Sequence, residues 1–287
     1  MKTFLFIVIV SMTLPGCTRL FFYPDRNQVV TPEALHLAYQ DIHIETPDGI
    51  RLHGWFLPAR GAAEGTVLFL HGNAENISTH IGNVFWLPSR NFNVLLIDYR
   101  GYGESGGKAT LKGMFIDIDA ALEYLVKRSK PDSENLAVLG QSLGAALAVY
   151  AVAHSRFKEQ IKALVIDSAF SSYRGIAREK MAAVWFTWPF QWIPWLTIPN
   201  RYDPVDAIAG ISPIPLLIVH GENDQIIPVH HAYELFKMAG EPKTLWVAPG
   251  AGHIQAFQSD QGRDRLVSFL RSSLQSSSDP LVTETNE

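Results

Sequence analysis

Leu136 to Ala153 reads "LAVLGQSLGAALAVYAVA", and one polar residue, Ser142, stands between Gly140 and Gly144 where an apolar strand gives way to an apolar helix. The pattern G-x-S-x-G is weak by itself, because with glycine and serine each at roughly 7% of an average protein it arises about once in ten chains of this length. Its context raises it. Leu136 to Gly140 form a short buried-strand run, while Ala146, Leu147, Tyr150 and Ala151 recur at helical spacing. A strand that becomes a helix within one or two residues must turn where the two elements nearly touch. Glycines on either side remove the side chains that would collide there. The serine at the apex is then held in a strained conformation, its hydroxyl exposed above a helix N-terminus, which is a nucleophile elbow.

On both sides of the elbow, short apolar runs alternate with helical stretches: "TVLFL" at 66–70, "NVLLI" at 93–97, "ALVI" at 163–166, "PLLIV" at 215–219 and "TLWV" at 244–247. Runs apolar on both faces suit a mostly parallel central sheet covered by helices, an α/β fold. "DIHIETPDGIRLHGWFLPA" (Asp41 to Ala59) alternates around Pro47-Asp48-Gly49 and reads as an antiparallel hairpin at one edge. Between the run at 93–97 and the elbow strand at 136–139, Phe115, Ile118, Leu122 and Leu125 form one helical stripe, which places Asp117, Asp119 and Glu123 on the solvated face. One segment breaks the rhythm. Residues 170–212 form a long insertion containing "VWFTWPFQWIPWLTIPN", with four of the seven tryptophans, and an insertion of that length is expected to act as a lid or cap. Trp185, Trp188, Trp192 and Trp195 would line one helical face, but Pro189 and Pro194 argue against one unbroken helix. Such rings either pack the cap onto the sheet, or shape an apolar acyl pocket around Trp188 and Trp192, or rest in a membrane interface.

A serine hydroxyl is a poor nucleophile at neutral pH, so it needs a base and an acid that fixes the base's tautomer. Asp224 follows the run "PLLIVHG" in "GENDQIIP", and His253 follows "TLWVAPG" in "GAGH". The chain order Ser142, Asp224, His253 is the order that accompanies an elbow of this kind. Asp167 in "VIDSAFSS", at the end of the preceding run, is the rival acid. Asp98 in "DYRGYGES" reads as a residue that holds its loop. His71 sits at a strand end and reads as structural. His230 and His231, with no carboxylate cluster beside them in sequence, do not read as metal ligands, and neither metal nor cofactor is expected.

"HGNAEN" (71–76), "DYRGYGES" (98–105), "GQSLG" (140–144), "GENDQIIP" (221–228) and "GAGH" (250–253) together resemble the α/β-hydrolase fold, over about Asp41 to Leu270. More narrowly they are similar to the α/β-hydrolase-domain group that includes protein depalmitoylases. The resemblance implies a serine hydrolase that cleaves esters or thioesters of small-molecule or acylated substrates. It also implies an oxyanion hole made by the backbone N–H groups of Leu143 and Asn73, with Gly72 letting the backbone approach. A serine peptidase of the same fold, and a non-catalytic binding lipoprotein, are the competing readings.

At the N-terminus, Lys2 precedes an apolar run from Phe4 to Val10 and then "LPGC", Leu14 to Cys17. The run is too short to span a bilayer and has the size of a signal-peptide core. It resembles the lipobox of bacterial lipoproteins, although Pro15 departs from that pattern. The resemblance implies a signal peptide over 1–16, lipidation of Cys17, an anchor and linker over 17–40, and a place on the membrane of a bacterial cell envelope. An ordinary secretory signal or an uncleaved anchor fits the same residues. Cys17 is the only cysteine, so no intramolecular disulfide accounts for it. The polar tail from 271 to 287 is expected to be disordered. With 24 basic and 28 acidic residues and no basic patch, nucleic acid is not an expected partner. The sequence leaves the oligomeric state open.

Overall fold

The computed structural model describes residues 22–128 and 135–275. Cys17, the signal-peptide residues and residues 276–287 lie outside that range. Eight strands form one sheet: β2 (Gln40–Glu45), β3 (Arg51–Leu57), β4 (Gly65–Leu70), β6 (Phe92–Ile97), β7 (Leu136–Gln141), β8 (Ile161–Asp167), β9 (Leu216–Gly221) and β10 (Lys243–Ala248). Their spatial order is β10-β9-β8-β7-β4-β6-β3-β2. The expected hairpin is present, since β2 pairs antiparallel with β3 at the edge and β3 pairs antiparallel with β6. The other pairings are parallel. A separate two-residue strand, β1 (Tyr23–Pro24), pairs with β5 (Ala74–Glu75).

The strand residues are apolar at successive positions because both faces are covered. Leu68, Leu70, Val138, Leu164, Ile166 and Ile218 pack toward α1 (Leu111–Arg128) and α2 (Leu143–His154). Val67, Phe69, Ala137, Leu139, Val165 and Val219 pack on the other face, against Trp86, Phe257 and the last helix. That helix, Asp260–Gln275, buries Leu274. The chain from Arg271 to Gln275 is therefore ordered helix, and the sequence reading started the tail too early, because serines and glutamine at a helix end look like linker. Residues 22–40, read as linker, also belong to the fold, for Phe22 is buried in the core.

The long excursion between β8 and β9 contains α3 (Tyr173–Ala182), a 3-10 turn at Trp188–Phe190 and α4 (Ile193–Thr197). Pro189 and Pro194 sit inside the first turns of the two short pieces, so the tryptophans do not share one helix. Asp203 closes the base of this cap by accepting from Ser172 Oγ and from the N–H of Tyr173, each at 2.9 Å. α5 (His230–Met238) and then α6, the last helix, follow.

Candidate active site

The turn from β7 into α2 places Ser142 at φ 53°, ψ −115°, a backbone conformation that L-residues rarely adopt. The neighbouring glycines explain how it is tolerated. A Cβ on Gly144 would lie 2.1 Å from the Leu70 carbonyl oxygen, and one on Gly140 would lie 2.5 Å from the Gly144 carbonyl oxygen. The Ser142 N–H donates to the Asp167 carbonyl at 2.8 Å, so the apex is tied sideways to the end of β8. α2 starts at Leu143, and the first N–H groups of a helix have no carbonyl one turn earlier to bond.

Asp224 and His253 meet. His253 Nδ1 lies 2.7 Å from Asp224 Oδ2. The other carboxylate oxygen accepts from the N–H groups of Ile226 and Ile227, both at 2.8 Å. Burial raises the Asp224 pKa, but the His253 bond and these two N–H donors outweigh it and hold the carboxyl below the usual aspartate value. The loops that carry the pair are laced together. Asn223 N–H donates to Ala251 O at 2.9 Å, Gly250 N–H donates to Glu222 Oε2 at 2.9 Å, and a Cβ on Gly221 would lie 2.2 Å from the Gly252 carbonyl oxygen. The Ile254 N–H, next to His253, donates to Ser168 Oγ at 3.1 Å. The end of β8 is thus bonded to both the elbow and the histidine loop.

Asp167 is committed to other partners. Its carboxylate accepts from Gln141 Nε2 at 2.9 Å and from Ser168 Oγ at 3.1 Å, and burial pushes its pKa up to about 6. Among the two aspartates, Asp224 is the one in hydrogen-bond contact with the imidazole.

On the opposite side of Ser142 lies the loop after β4. A Cβ on Gly72 would approach Ser142 Cβ to 3.6 Å, which puts this loop against the elbow. The Asn73 side chain faces away from a catalytic role of its own: its Oδ1 accepts from the Tyr23 N–H at 3.2 Å and from the Tyr102 hydroxyl at 3.0 Å. His71 is fully buried, bonds its own loop through Gly72 O at 2.8 Å and packs at a tilt against the Tyr99 ring. Burial drives its pKa well below the ordinary value, which fits a neutral structural imidazole. Asp98 accepts from the Ile77 N–H at 2.9 Å and so joins its loop to the short helix Ile77–His80.

The family model described as serine aminopeptidase, S33, matches residues 61–210. The chain belongs to this family of α/β hydrolases. The uncharacterized protein YfhR of Salmonella typhi is 37% identical over 287 residues, covering 94% of each chain. The α/β-hydrolase domain-containing protein WAV2 of Arabidopsis thaliana is 31% identical over 86% of this chain and 80% of its own. Among solved structures, an esterase of Pyrococcus furiosus superposes with a TM-score of 0.69 at 25% identity, over 87% of this chain and all of the other.

The hydrolase departs from its sequence reading at two clusters. Asp117 does not face water: it is buried and accepts from the Arg100 backbone N–H and from Arg100 Nη2, both at 2.8 Å. Arg100 Nη1 reaches Asp48 in the hairpin turn at 2.7 Å. This pairing fixes the loop 98–105 behind the site, and a helical wheel misses it because Arg100 lies outside the helix. His230 and His231 do have a carboxylate beside them. Glu179 of the cap lies 3.1 Å from His230 Nε2 and 3.3 Å from His231 Nε2, so the three could be imagined around a metal ion. The tautomer argues otherwise. His231 Nδ1 accepts from the Ser171 N–H at 3.2 Å, which leaves Nε2 as the N–H that faces Glu179. A metal would need a lone pair there, and the arrangement is a hydrogen-bonded latch between α3 and α5. Trp188 and Trp192 are exposed, so neither packs the cap onto the sheet.

Proposed function

We propose that this hydrolase cleaves carboxylic ester or thioester bonds of apolar acyl substrates through an acyl-serine intermediate. The observation that carries the reading is the Asp224–His253 hydrogen bond at 2.7 Å, beside strand ends that also hold a strained serine elbow. In the first half-reaction Ser142 Oγ bonds to the acyl carbon as its proton passes to His253 Nε2. Asp224 holds the imidazole by Nδ1 and stabilises the imidazolium. The negative charge that develops on the acyl oxygen is met by the backbone N–H groups of Leu143 and Asn73, worth ~3 kcal/mol each in the transition state. The C–O or C–S bond to the leaving group then breaks, and His253 returns the proton to that group. In the second half-reaction water attacks the acyl carbon, losing its proton to His253, the bond from the acyl carbon to Ser142 Oγ breaks as His253 returns that proton to Oγ, and the free acid is released.

Esterases among the structural neighbours support this reading, and the family's aminopeptidase description makes amide cleavage the competing one. Attachment through lipidated Cys17 on a bacterial envelope membrane is part of the same proposal, supported by the lipobox resemblance of residues 14–17. Fluorophosphonate labelling of the full-length protein, followed by p-nitrophenyl esters, acyl thioesters and aminoacyl anilides, tests the chemistry. Labelling on Ser142 and turnover of esters are expected, and Ser142→Ala should abolish both while leaving the thermal midpoint unchanged. Labelling elsewhere, or anilide turnover exceeding that of esters, overturns the proposal.

A further inference from the structure

Of the thirteen large apolar side chains exposed among the described residues, eight lie between Val184 and Leu196. Trp185 is 86% exposed and Leu196 76%. A contiguous apolar surface of this kind marks an interaction site on a folded domain. Its charge is as uneven as its hydropathy. Arg174, Arg178, Lys180 and Arg201 stand in and beside it, while of the three acids over 170–212 Glu179 is taken by His230 and His231 and Asp203 by Ser172 and the Tyr173 N–H, which leaves Asp206. None of the four basic residues is in a salt bridge among the described residues; Arg174 donates to Ile198 O and lies over the Trp195 ring, Arg201 lies over Tyr202, and the chain's net charge is −4. The placement adds a third fact. The cap grows from the carboxyl end of β8, and residues 22–29 run along the loops at the carboxyl ends of β4 and β6. They are held there by Tyr23 N–H on Asn73 Oδ1 at 3.2 Å, Gly103 N–H on Asp25 O at 2.9 Å and Val29 N–H on Ser78 Oγ at 2.9 Å. Tyr23 therefore lies at the same carboxyl end of the sheet as the cap. Cys17 lies six residues before Tyr23, within roughly 20 Å of extended chain.

We propose that the cap face docks on an anionic phospholipid bilayer and turns the Ser142 edge toward it, so that substrates are acyl esters or thioesters whose acyl chain lies in the leaflet. The substrate clause rests on the hydrolase reading of Ser142, and the docking clause does not. Tryptophans mixed with arginine and lysine are the side chains of a membrane–water interface, where amphipathic rings sit at headgroup depth. Each basic residue near an anionic surface adds about fivefold to the partition. A second copy of the chain is a poorer occupant, because a two-fold pairing of this face would set unpaired cations against their own images.

The test uses the full-length protein in vesicles of phosphatidylcholine with one part in three phosphatidylglycerol, the acyl chains brominated close to the headgroup. Four of the seven tryptophans lie in the cap, so bromine contact should quench at least about a third of the emission. Trp185→Glu with Leu196→Glu should remove most of that quenching and lower hydrolysis of a vesicle-embedded acyl thioester about tenfold. Both changes fall on exposed side chains, so the thermal midpoint, fluorophosphonate labelling of Ser142 and hydrolysis of p-nitrophenyl acetate should stay within twofold of the parent. Absence of quenching, or quenching unchanged in the double variant, overturns the docking face. A parent dimer in sedimentation that the same variant disperses assigns the face to a second copy and overturns it equally. Retained quenching in a protein that neither labels nor turns over any ester overturns the substrate clause and leaves the docking face standing.

Discussion

Trp55 and Trp188 show how differently the sheet and the cap use the same residue. Trp55, on β3, is 2% exposed and packs among Leu57, Val94 and Leu96, whereas Trp188, in the cap, is 62% exposed. In the sheet, ring area removed from water stabilises the fold. In the cap, the same area is left in water, which costs stability unless something outside the chain covers it. The polar groups divide in the same way. At the strand ends Asp224 has acceptor bonds on both oxygens. The cap is held at its base by Asp203 and by the Glu179 latch, while Arg178 and Lys180 stand exposed.

The sharpest way to test this division is to remove one carboxylate from each region. Asp224→Asn leaves the shape of the site but disfavours the working tautomer of His253, and kcat should fall by about 10⁴-fold on a soluble ester. Glu179→Gln, which weakens only the cap latch, should leave the same rate within threefold. A comparable loss in both variants would mean that the cap contributes to chemistry. Next in size is the pair of tryptophans. Trp55→Ala should cost about 3–5 kcal/mol in urea unfolding, through lost burial and a residual cavity, and Trp188→Ala under about 0.5 kcal/mol.

The smallest expected effect concerns Asp167. Its folded pKa, about 6, lies above the 3.8 of a free aspartate, so the folded state binds its proton more tightly than the unfolded state. Stability from this group is present below the unfolded value and is lost as pH rises through about 6, a term of about 3 kcal/mol. Asp167→Asn should therefore flatten the decline of the thermal midpoint between acidic and neutral pH while keeping activity within tenfold. Asp117, also raised to about 6 by burial, and Asp98 and Asp203, raised by burial too, contribute to the slope that remains. Loss of activity in Asp167→Asn equal to that in Asp224→Asn would reverse the assignment of the acid.

The parallel strands were legible because burial on both faces leaves apolar runs that no other element of that length produces. The candidate site could be read for a related reason: its residues stand in the loops that follow those runs, Ser142 directly after β7, Asp224 three residues after β9 and His253 five after β10. Asp117 was not legible. Its helical stripe places it correctly relative to Ile118 and Leu122, but its partner, Arg100, comes from a loop whose fold is set by Asp98 and glycines. The latch failed for the same reason, since nothing near His230 in sequence announces Glu179. In the cap, the prolines correctly ruled out one helix, but spacing alone could not say whether the rings face inward or outward.

The short parallel pairing of β1 with β5 has a mechanical meaning. A load applied through residues 1–21 reaches the folded domain at Tyr23, whose N–H is bonded to Asn73, and passes next to the Asn76 amide, which donates to Asp25 O at 3.1 Å and Asn27 O at 2.8 Å. Tension along the strand is carried in shear, by several bonds at once, and arrives at the loop that carries Gly72. From Tyr23 inward the path is short: a pull on this strand passes through Asn73 and Gly72 to the side of the Ser142 elbow, with no long loop between them.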